Sequence, residues 1–331
     1  MLRSEGGRWR RRSLLAAGAA ALSTTACMLG GPAIPAEVAP ATPLALPQLP
    51  PGSRLDTLGG LVIDDAALGF GGLSGLHLDG DLGVTAVSDL GHWMTARIEL
   101  REGRPAGLSG LRSGPLRDGS GVPLRRGFHG DAEALARLPD GTWLVGFERW
   151  HRIRAYATLD APARYVEAPP GLDRAEDNGG LESLAVLPDG RWLAIAESLG
   201  VPGRGGLRRA WLGRPGRWRP LAYRSAEDFF PVDAAPLPDG GALVLERRFS
   251  LFGGFDGRLV RIPAPVLHEA GPEAVLEGEE LLRLASPLPA DNFEGVSAAR
   301  VGGRTLVAMI SDDNQNLLQR TLLLLFVLAE D

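Results

Sequence analysis

Carboxylates that frame a recurring turn are the most informative side chains in this sequence. Glu182 and Glu197 lie at equal distances on either side of the turn formed by Asp189 and Gly190. Residues placed symmetrically about a hairpin turn face each other across two strands, so both carboxylates are expected on one face. We call the residue before the turn the opening residue and its counterpart after the turn the closing residue. The other pairs are Glu133 with Glu148, Asp233 with Glu246, Glu294 with Asp312 and, more loosely, Ser74 with Asp89. Clustered carboxylates can bind a metal ion or transfer protons, so they are the first candidates for a site.

Facing carboxylates need a counter-charge, because like charges directly opposite destabilise a sheet. Bound cations, neighbouring arginines and protonation are three ways to supply it. Oxygen ligands in a chain with one Cys and five His favour a divalent cation such as Ca²⁺ or Mg²⁺ over zinc, and we expect Ca²⁺. The predicted ligands are Asp89, Glu133, Glu148, Glu182, Glu197, Asp233, Glu246, Glu294 and Asp312, with Asp291, Asn292, Asp313 and Asn314 as further candidates. The alternative is a carboxylate and arginine network that only fixes the strands in place.

Arginines directly follow the closing carboxylates of two pairs. They can balance those carboxylates or bind an anionic substrate, since a guanidinium offers paired hydrogen bonds to an oxyanion. A histidine four residues before Glu133 is close enough in sequence to join them. The predicted substrate-binding residues are Arg149, Arg247, Arg248 and His129. The predicted catalytic residues are Glu182, Glu197, Glu294, Arg149 and Arg247.

The sequence does not support several other kinds of site. Its only cysteine is Cys27, which excludes an intrachain disulfide and a cysteine-rich zinc site. Residues 72–76 read GLSGL and lack the last glycine of the Gly-x-Ser-x-Gly motif, which disfavours an α/β-hydrolase mechanism. A net charge of −5 provides no broad basic surface, so no nucleic-acid partner is expected.

The paired carboxylates belong to a repeat that runs through the chain. Residues 133–148, 182–197 and 233–246 each contain an apolar run, a Leu-Pro-Asp-Gly turn sequence and a second apolar run. Residues 74–89 and 294–312 are weaker copies, and successive copies begin about 50 to 60 residues apart. Each copy predicts a β-hairpin, and two further strands are predicted before the next copy begins.

Four antiparallel strands repeated at this spacing predict an all-β fold, a single β-propeller of four-stranded antiparallel blades. We expect five blades, with six as the alternative because the strands of the weaker copies are hard to delimit. Only three strands follow Glu294, so Leu55–Ile63 is predicted to supply the fourth and to join both ends of the fold in one blade. A large β-sandwich is the competing fold, but sandwiches do not repeat a four-strand unit at this period.

The first 30 residues predict an export signal. Arg11 and Arg12 precede Leu14 and Leu15 at the spacing of a twin-arginine signal, and an Ala-rich apolar stretch follows. A Sec signal is the alternative. The apolar stretch is shorter than the roughly 20 residues that span a membrane.

The export signal sets the expected domain order and location. Residues 31–53 predict a Pro- and Ala-rich linker, and residues 54–331 predict the propeller domain. We expect the protein in the periplasm, or held at the cell envelope by a lipid on Cys27. The residues before Cys27 resemble a lipobox, with Thr24 in place of the usual leucine. Contact with a membrane is expected only through the signal or this anchor.

The repeat units resemble the phytase-like family, described as having esterase-like activity of phytase. The resemblance covers about residues 54–328. It rests on residues 70–76 (FGGLSGL), 131–135 (DAEAL), 180–184 (GLESL) and 292–296 (NFEGV), with the closing residues 148–149, 196–197, 245–248 and 311–314. This resemblance implies an exported bacterial propeller that hydrolyses phosphoesters, and related propeller phytases use Ca²⁺.

Together these features predict a hydrolase acting on ester bonds at a carboxylate-lined mouth of the propeller channel. The expected activity is that of a metal-dependent phosphoesterase or esterase, with a small anionic ester or phosphoester as substrate. Two alternatives remain open. One is a propeller that binds a ligand or metal without catalysis, and the other is a metal-dependent lactonase, whose substrates are neutral.

Overall fold

The recurring Asp-Gly turns close the first hairpin of three repeat units. Gly190 has a φ of +82°, a left-handed conformation that glycine adopts without a side-chain clash. The carboxylate of Asp189 accepts a hydrogen bond from the Arg191 N–H at 2.9 Å, which fixes the turn. Asp140 and Asp239 accept equivalent hydrogen bonds from Thr142 and Gly241.

The computed structural model describes residues 40–316 and 319–329. It begins with strands β1 (Ala41–Leu44) and β2 (Leu55–Ile63) and the short helix α1 (Asp65–Leu68). Blade I contains β3 (Leu73–Leu78), β4 (Gly83–Ser88), β5 (His92–Arg101) and β6 (Arg104–Pro115). Blade II contains β7 (Ala132–Arg137), β8 (Trp143–Phe147), β9 (Arg152–Tyr156) and β10 (Arg164–Val166).

The second half of the chain forms three more blades. After a 3₁₀ turn at Leu172–Arg174, blade III contains β11 (Leu181–Val186), β12 (Trp192–Val201), β13 (Arg204–Gly213) and β14 (Arg219–Arg224). Blade IV contains β15 (Phe230–Pro236), β16 (Ala242–Ser250), β17 (Gly254–Ile262) and, after helix α2 (Ala264–Glu269) and strand β18 (Val275–Leu276), β19 (Glu279–Leu284). Strand β18 pairs in parallel with β14 at the outer edge of blade III. Blade V contains β20 (Asn292–Val301), β21 (Arg304–Asp312) and β22 (Leu322–Leu328).

Both ends of the described fold meet in blade V, as predicted. Strand β22 lies between β21 and β2, and Leu55 is paired with Leu328 at one end of the β2 and β22 ladder. The fold is therefore the five-bladed β-propeller expected from the repeat, and the six-bladed alternative is wrong. The structure adds one strand to this expectation. Strand β1, from the segment expected to be a linker, pairs with β2 as the outermost strand of blade V.

The first strands of the blades (β3, β7, β11, β15 and β20) form the innermost ring, in which each strand contacts the next. The backbones approach closely. A Cβ on Gly75 of β3 would come within 2.5 Å of the Leu135 backbone nitrogen on β7, so only glycine fits there.

The apolar cores lie between neighbouring blades. Between blades IV and V, for example, Leu243 and Leu245 pack with Phe293 and Val307, and all four side chains are buried. Alternate residues of each strand face opposite sides of a blade, so one strand contributes to two cores. Burial of each such side chain stabilises the fold by roughly 1.5–3 kcal/mol.

Residues 1–39, with the predicted export signal and Cys27, lie outside the described residues. Within the described residues, none of the helices has the length and apolar character needed to cross a bilayer.

Candidate functional site

Each innermost strand has a shift in its pairing register close to its first residue. The shift leaves an extra residue in the inner strand, a β-bulge that turns its side chain away from the regular face. The bulges of blades I to V fall at Ser74–Gly75, Glu133, Glu182, Val232 and Glu294. Three of the five are glutamates, and their charges act on one another across the channel.

The bulges change the predicted pairing of the carboxylates. Glu182 was expected opposite Glu197, but that pairing is wrong because Leu181 faces Ala196. The N–H of Glu197 instead donates to the Gly180 carbonyl at 2.9 Å. In blade II the N–H of Glu148 likewise donates to the carbonyl of Asp131, two residues before the bulge. Opening and closing carboxylates therefore meet at the channel mouth without facing each other in the ladder.

Two groups of three carboxylates form on the side of the mouth made by blades II and III. Asp131, Glu133 and Glu148 make one group, and Glu148, Glu182 and Glu197 make the other. In each group, one oxygen from every residue lies within 4.8 Å of the others. Glu148 belongs to both groups, and its Oε1 accepts the Gly180 N–H at 3.3 Å. Each group could supply three ligands to one cation.

Blades V and I form the other side of the mouth. Glu294 accepts hydrogen bonds from the Asn292 side-chain amide at 2.7 Å and from the Ser74 hydroxyl at 3.3 Å. Asp312 accepts the Asn314 N–H at 2.7 Å. The charge of Asp89 acts on Asp312, which places these two carboxylates near each other. We call Asp89, Asp131, Glu133, Glu148, Glu182, Glu197, Glu294 and Asp312 the mouth cluster.

Arg247 is the cation that enters the mouth cluster from blade IV. Its guanidinium bonds to Glu294, to the Asn292 side-chain oxygen at 2.6 Å and to Glu197 at 3.4 Å. Burial lowers the pKa of Arg247, but the charges of the surrounding glutamates outweigh that effect and raise it. The bulge residue of blade IV is Val232, which has no charge. Arg247 is therefore the charged side chain that this blade contributes to the mouth.

The pKa values of the mouth cluster show that Arg247 does not balance it. Burial raises the pKa of Glu148 to about 7, and the charges of Asp131 and Glu197 act in the same direction. Burial and the charge of Glu294 raise the pKa of Asp312 to about 9. Burial, followed by neighbouring carboxylates, also raises the pKa of Glu133, Glu182 and Asp89. Bound protons or a bound cation must offset the remaining negative charge.

Two predicted ligands lie outside the mouth cluster. Asp233 is fully buried, and its carboxylate accepts the N–H groups of Ala234 and Val296, each at 2.8 Å. Glu246 accepts a hydrogen bond from the Tyr223 hydroxyl at 2.6 Å. The physical reason is register: the bulge of blade IV falls on Val232, so neither carboxylate is turned into the mouth. Both have structural partners instead.

The four predicted substrate-binding residues lie in four different places. Arg247 lies inside the mouth, whereas Arg149 bonds to Asp131 at the rim with 43% of its side chain exposed. Arg248 pairs with Asp256 at 2.7 Å along the hairpin of β16 and β17. His129 is exposed, and its ring contacts Phe128 and Trp150 on blade II.

The sequence interpretation missed Asp131 as a site residue, and it treated Asn292 only as an additional ligand. Asp131 and Asn292 each stand two residues before the bulge glutamate of their blade. In blade III the residue at the same position, two before Glu182, is Gly180. Comparing residues at this offset in the repeat units would have identified both side chains.

The donor set of the mouth cluster fits a hard cation. It consists of carboxylate oxygens, the ligands that Ca²⁺ and Mg²⁺ prefer, and its eight carboxylates carry more negative charge than Arg247 and Arg149 can balance. Partly buried carboxylates with raised pKa values can also accept and donate protons near neutral pH. Metal binding and acid–base chemistry are thus both available at this mouth.

Residues 68–315 match the family described as "Phytase-like: Esterase-like activity of phytase". A putative gluconolactonase of known structure is 13% identical, covering 88% of this chain and 100% of that chain with a TM-score of 0.43. Regucalcin from Agrobacterium tumefaciens, a calcium-binding protein, is 12% identical over 78% of this chain and 92% of its own, with a TM-score of 0.40. The aldose sugar dehydrogenase from Streptomyces coelicolor in its PQQ-bound form is 17% identical over 87% and 96%, also with a TM-score of 0.40. Among curated proteins, none matches significantly in sequence.

Proposed function

The chain belongs to the phytase-like family, and we propose that it is a metal-dependent hydrolase of ester bonds that acts at the mouth cluster. Phosphoesters are the first substrate class, in line with the family description. The observation that carries the proposal is the pair of three-carboxylate groups that share Glu148. A set of buried, like-charged oxygens is a costly arrangement that a divalent cation relieves.

Asp131, Glu133, Glu148, Glu182 and Glu197 are the residues that would hold the cation. A bound divalent cation would polarise the ester and lower the pKa of a water molecule to near neutrality. The family and the donor set support a divalent cation, and we favour Ca²⁺ because carboxylates are its usual ligands.

The chain's own groups have separable tasks in this proposal. Arg247 is held between Glu197 and Glu294, where it can attract negative oxygens that develop on the substrate. Arg149 lies at the rim with much of its side chain exposed, so it is available to orient an incoming anionic ester. Asp89 and Asp312 lie outside the two metal-holding groups. Asp89, whose pKa burial raises to about 7, can accept the proton of an attacking water, and Asp312, with a pKa of about 9, can donate one to the leaving group.

Hydrolysis of a neutral ester or lactone is a second candidate, and a specific observation favours it. Arg247 already bonds to Glu197, Glu294 and Asn292, and Arg248 already pairs with Asp256. An anionic substrate would have to compete with these partners, whereas a neutral substrate would leave them in place. The electrostatic cost of entering a carboxylate-lined mouth is also smaller for a neutral molecule.

One panel of assays decides among these activities. The purified full chain is incubated with phytate, p-nitrophenyl phosphate, a carboxylic ester and a lactone, each with Ca²⁺ and with chelator. The proposal expects phosphoester turnover that chelator removes. Turnover of only the lactone or carboxylic ester supports the second candidate. A folded, Ca²⁺-loaded protein that turns over none of these substrates would be a binding propeller, and both hydrolase proposals would be wrong.

Binding of Ca²⁺ by calorimetry tests the metal site separately. We expect saturable binding by the wild type and at least tenfold weaker binding by Glu182→Gln, which removes one charge at similar volume. Glu167→Gln is the matched control, because Glu167 is exposed on blade II and belongs to neither group. Absence of measurable binding to the wild type would overturn the metal site.

We also propose that residues 1–30 direct export by the twin-arginine route and that the protein works in the periplasm or at the cell envelope. The support is the Arg11, Arg12, Leu14 and Leu15 pattern. Changing both arginines to lysine should retain the protein in the cytoplasmic fraction. Unchanged periplasmic recovery would contradict the twin-arginine route. Movement of Cys27→Ser from the membrane fraction to the soluble fraction would identify the lipid anchor.

A further inference from the structure

A second concave surface lies on blade II, outside the mouth cluster. It is a cavity of about 400 Å³ between the loop that follows β6 and the outer side of β9. Its charged and aromatic lining includes Arg117, Arg125, Arg152, Arg154, His129 and Trp150. The cavity shares two chain segments with the mouth, because His129 precedes Asp131 by two residues and Trp150 follows Glu148 by two.

The lining carries an excess of positive charge that the protein leaves unbalanced. Within the described part of the chain, none of the four arginines has a carboxylate at salt-bridge distance. The carboxylate in the lining, Asp118, already accepts the N–H groups of Ser120 and Val122 at 2.8 and 2.9 Å. By contrast, Arg209 elsewhere on the surface does pair with a glutamate. Arg117 and Arg154 donate instead to the carbonyls of Gly121, at 2.9 Å, and Ile153, at 3.0 Å, which orients these guanidinium groups but leaves their charge without a carboxylate partner.

Arg152 is the most informative member of this group because its side chain is buried. It donates hydrogen bonds to the carbonyls of Trp150, at 2.9 Å, and of His129. Its guanidinium also lies 4.0 Å from the centre of the Phe147 ring. Burial, and then the charge of Arg154, lower the pKa of Arg152 to about 10. These carbonyl and ring contacts orient the cation without neutralising it, so a bound anion would be stabilised.

An exposed aromatic surface borders the same cavity. Trp150 has 48% of its surface exposed, and Phe128 lies nearly parallel to it with the ring centres 6.3 Å apart. Arg154 lies 5.8 Å from the centre of the Trp150 ring, so positive charge and aromatic surface are adjacent. Apolar surface of this kind next to guanidinium groups suits a ligand with an anionic head and a flat apolar body.

We propose that this cavity is a binding site for a doubly charged oxyanion of the phosphate monoester type, carried on an aromatic or similarly flat apolar group. Guanidinium groups bind phosphate oxygens through paired, charge-assisted hydrogen bonds, and several of them suit a dianion better than a single charge. The flat group rests against Trp150. This site is formed by blade II and the loop that joins it to blade I, and it needs no metal, so it stands independently of the proposed hydrolase activity.

The test is direct binding of phenyl phosphate to the purified full chain in the presence of chelator, measured by calorimetry. We expect saturable binding that weakens with added salt. Arg154→Gln and Arg125→Gln should each weaken it about tenfold, the usual effect of losing one charge-assisted hydrogen bond. Arg164→Gln is the matched control, because Arg164 is an exposed arginine on β10 of the same blade that does not line the cavity.

Two further ligands test the aromatic part of the proposal. Inorganic phosphate should bind more weakly than phenyl phosphate, and Trp150→Leu should remove that difference without preventing phosphate binding. Benzoate, with the same ring and one charge, should bind more weakly than phenyl phosphate. The proposal is overturned if phenyl phosphate does not bind saturably, if Arg154→Gln binds it as tightly as the wild type, or if Arg164→Gln weakens it equally. Because chelator is present throughout, these results are independent of the hydrolase assays.

Discussion

Glu148 lies opposite Asp131 in the first hairpin of blade II, and its N–H donates to the Asp131 carbonyl at 2.9 Å. The corresponding pairs in blades I, III, IV and V are Gly72 with Asp89, Gly180 with Glu197, Phe230 with Arg247, and Asn292 with Asp312. Blade II therefore differs from the other four in having carboxylates at both places. Negative charge is concentrated where blades II and III meet, and cation binding is expected there.

Glu148→Gln should remove most of the stabilisation that Ca²⁺ gives to the fold, because Glu148 is shared by both carboxylate groups. A ligand at a hundred times its dissociation constant stabilises a protein by about 2.7 kcal/mol. We expect a clear Ca²⁺-dependent rise in melting temperature for the wild type and for Glu167→Gln. The Glu148→Gln variant should show little or none. A rise equal to that of the wild type would place the cation elsewhere.

The metal-free protein should become less stable as the pH rises from about 4 towards 7. In the folded state the pKa of Glu148 is about 7 and that of Asp312 about 9, whereas both are near 4 in an unfolded chain. Between these pKa values the folded state holds protons that the unfolded chain has lost. Unfolding therefore releases protons, and the free energy of unfolding falls as the pH rises. Urea unfolding in chelator at pH 4.5, 6 and 7.5 measures the slope.

Glu148→Gln is the control for this pH dependence, because it removes one of the titrating groups and should flatten the slope. Added Ca²⁺ should stabilise the wild type more at pH 7.5 than at pH 4.5, since protons compete with it at low pH. Stability that rises steadily from pH 4.5 to 7.5 in chelator would contradict the raised pKa values.

Asp233→Asn should lower stability and leave Ca²⁺ binding intact. The Asp233 carboxylate joins blade IV to Val296 of blade V, and it also accepts a backbone hydrogen bond from Leu76 of blade I. Replacing one carboxylate oxygen with an amide leaves a buried N–H without an acceptor, which costs about 1–3 kcal/mol. Thermal unfolding and Ca²⁺ calorimetry on the same variant separate the two effects. A loss of Ca²⁺ affinity comparable to that of Glu182→Gln would return Asp233 to the metal site.

A chain that begins at Arg54 should be less stable than one that begins at Val38, because it lacks β1. Strand β1 pairs with β2 at four positions, from Ala41 with Ile63 to Leu44 with Gly60. The buried side chains of Ala41 and Leu46 would also be lost. We expect a decrease of about 2–4 kcal/mol in the free energy of unfolding, from backbone pairing and apolar burial together. Equal unfolding curves for the two chains would mean that β1 contributes little to the fold.

The overall fold was predictable because its signals are local and repeated. The Asp-Gly turns at Asp140, Asp189 and Asp239 fix the inner hairpins of three consecutive blades, and their spacing indicates the weaker blades before and after them. The prediction that both ends of the fold share one blade was possible because only three strands were expected after Glu294, and blade V confirms it. Strand β1 was not predicted, because Pro40 and Pro43 suggest an extended linker and an edge strand tolerates proline.

The arrangement of the site was predictable only in part. The sequence identified Glu133, Glu182 and Glu294, but symmetry about a turn assumes a regular ladder and gives no sign of a bulge. One extra residue in each inner strand shifts the register, and Asp233 consequently turns into the core while Asp131 joins the site. The sequence likewise cannot show that Arg247 enters the mouth from the blade whose bulge residue is Val232.

The position of β22 between β21 and β2 also has a kinetic consequence. Strand β2 and the last strand of the propeller, β22, are synthesised more than 250 residues apart, as their paired residues Leu55 and Leu328 illustrate. Until β22 has been made, the inner edge of β2 has no partner and the ring stays open. Contacts between such distant parts of a chain form slowly, and unpaired strand edges favour aggregation while they persist. Ring closure is therefore expected to be a late and slow step, after which both ends of the fold are held in a single sheet.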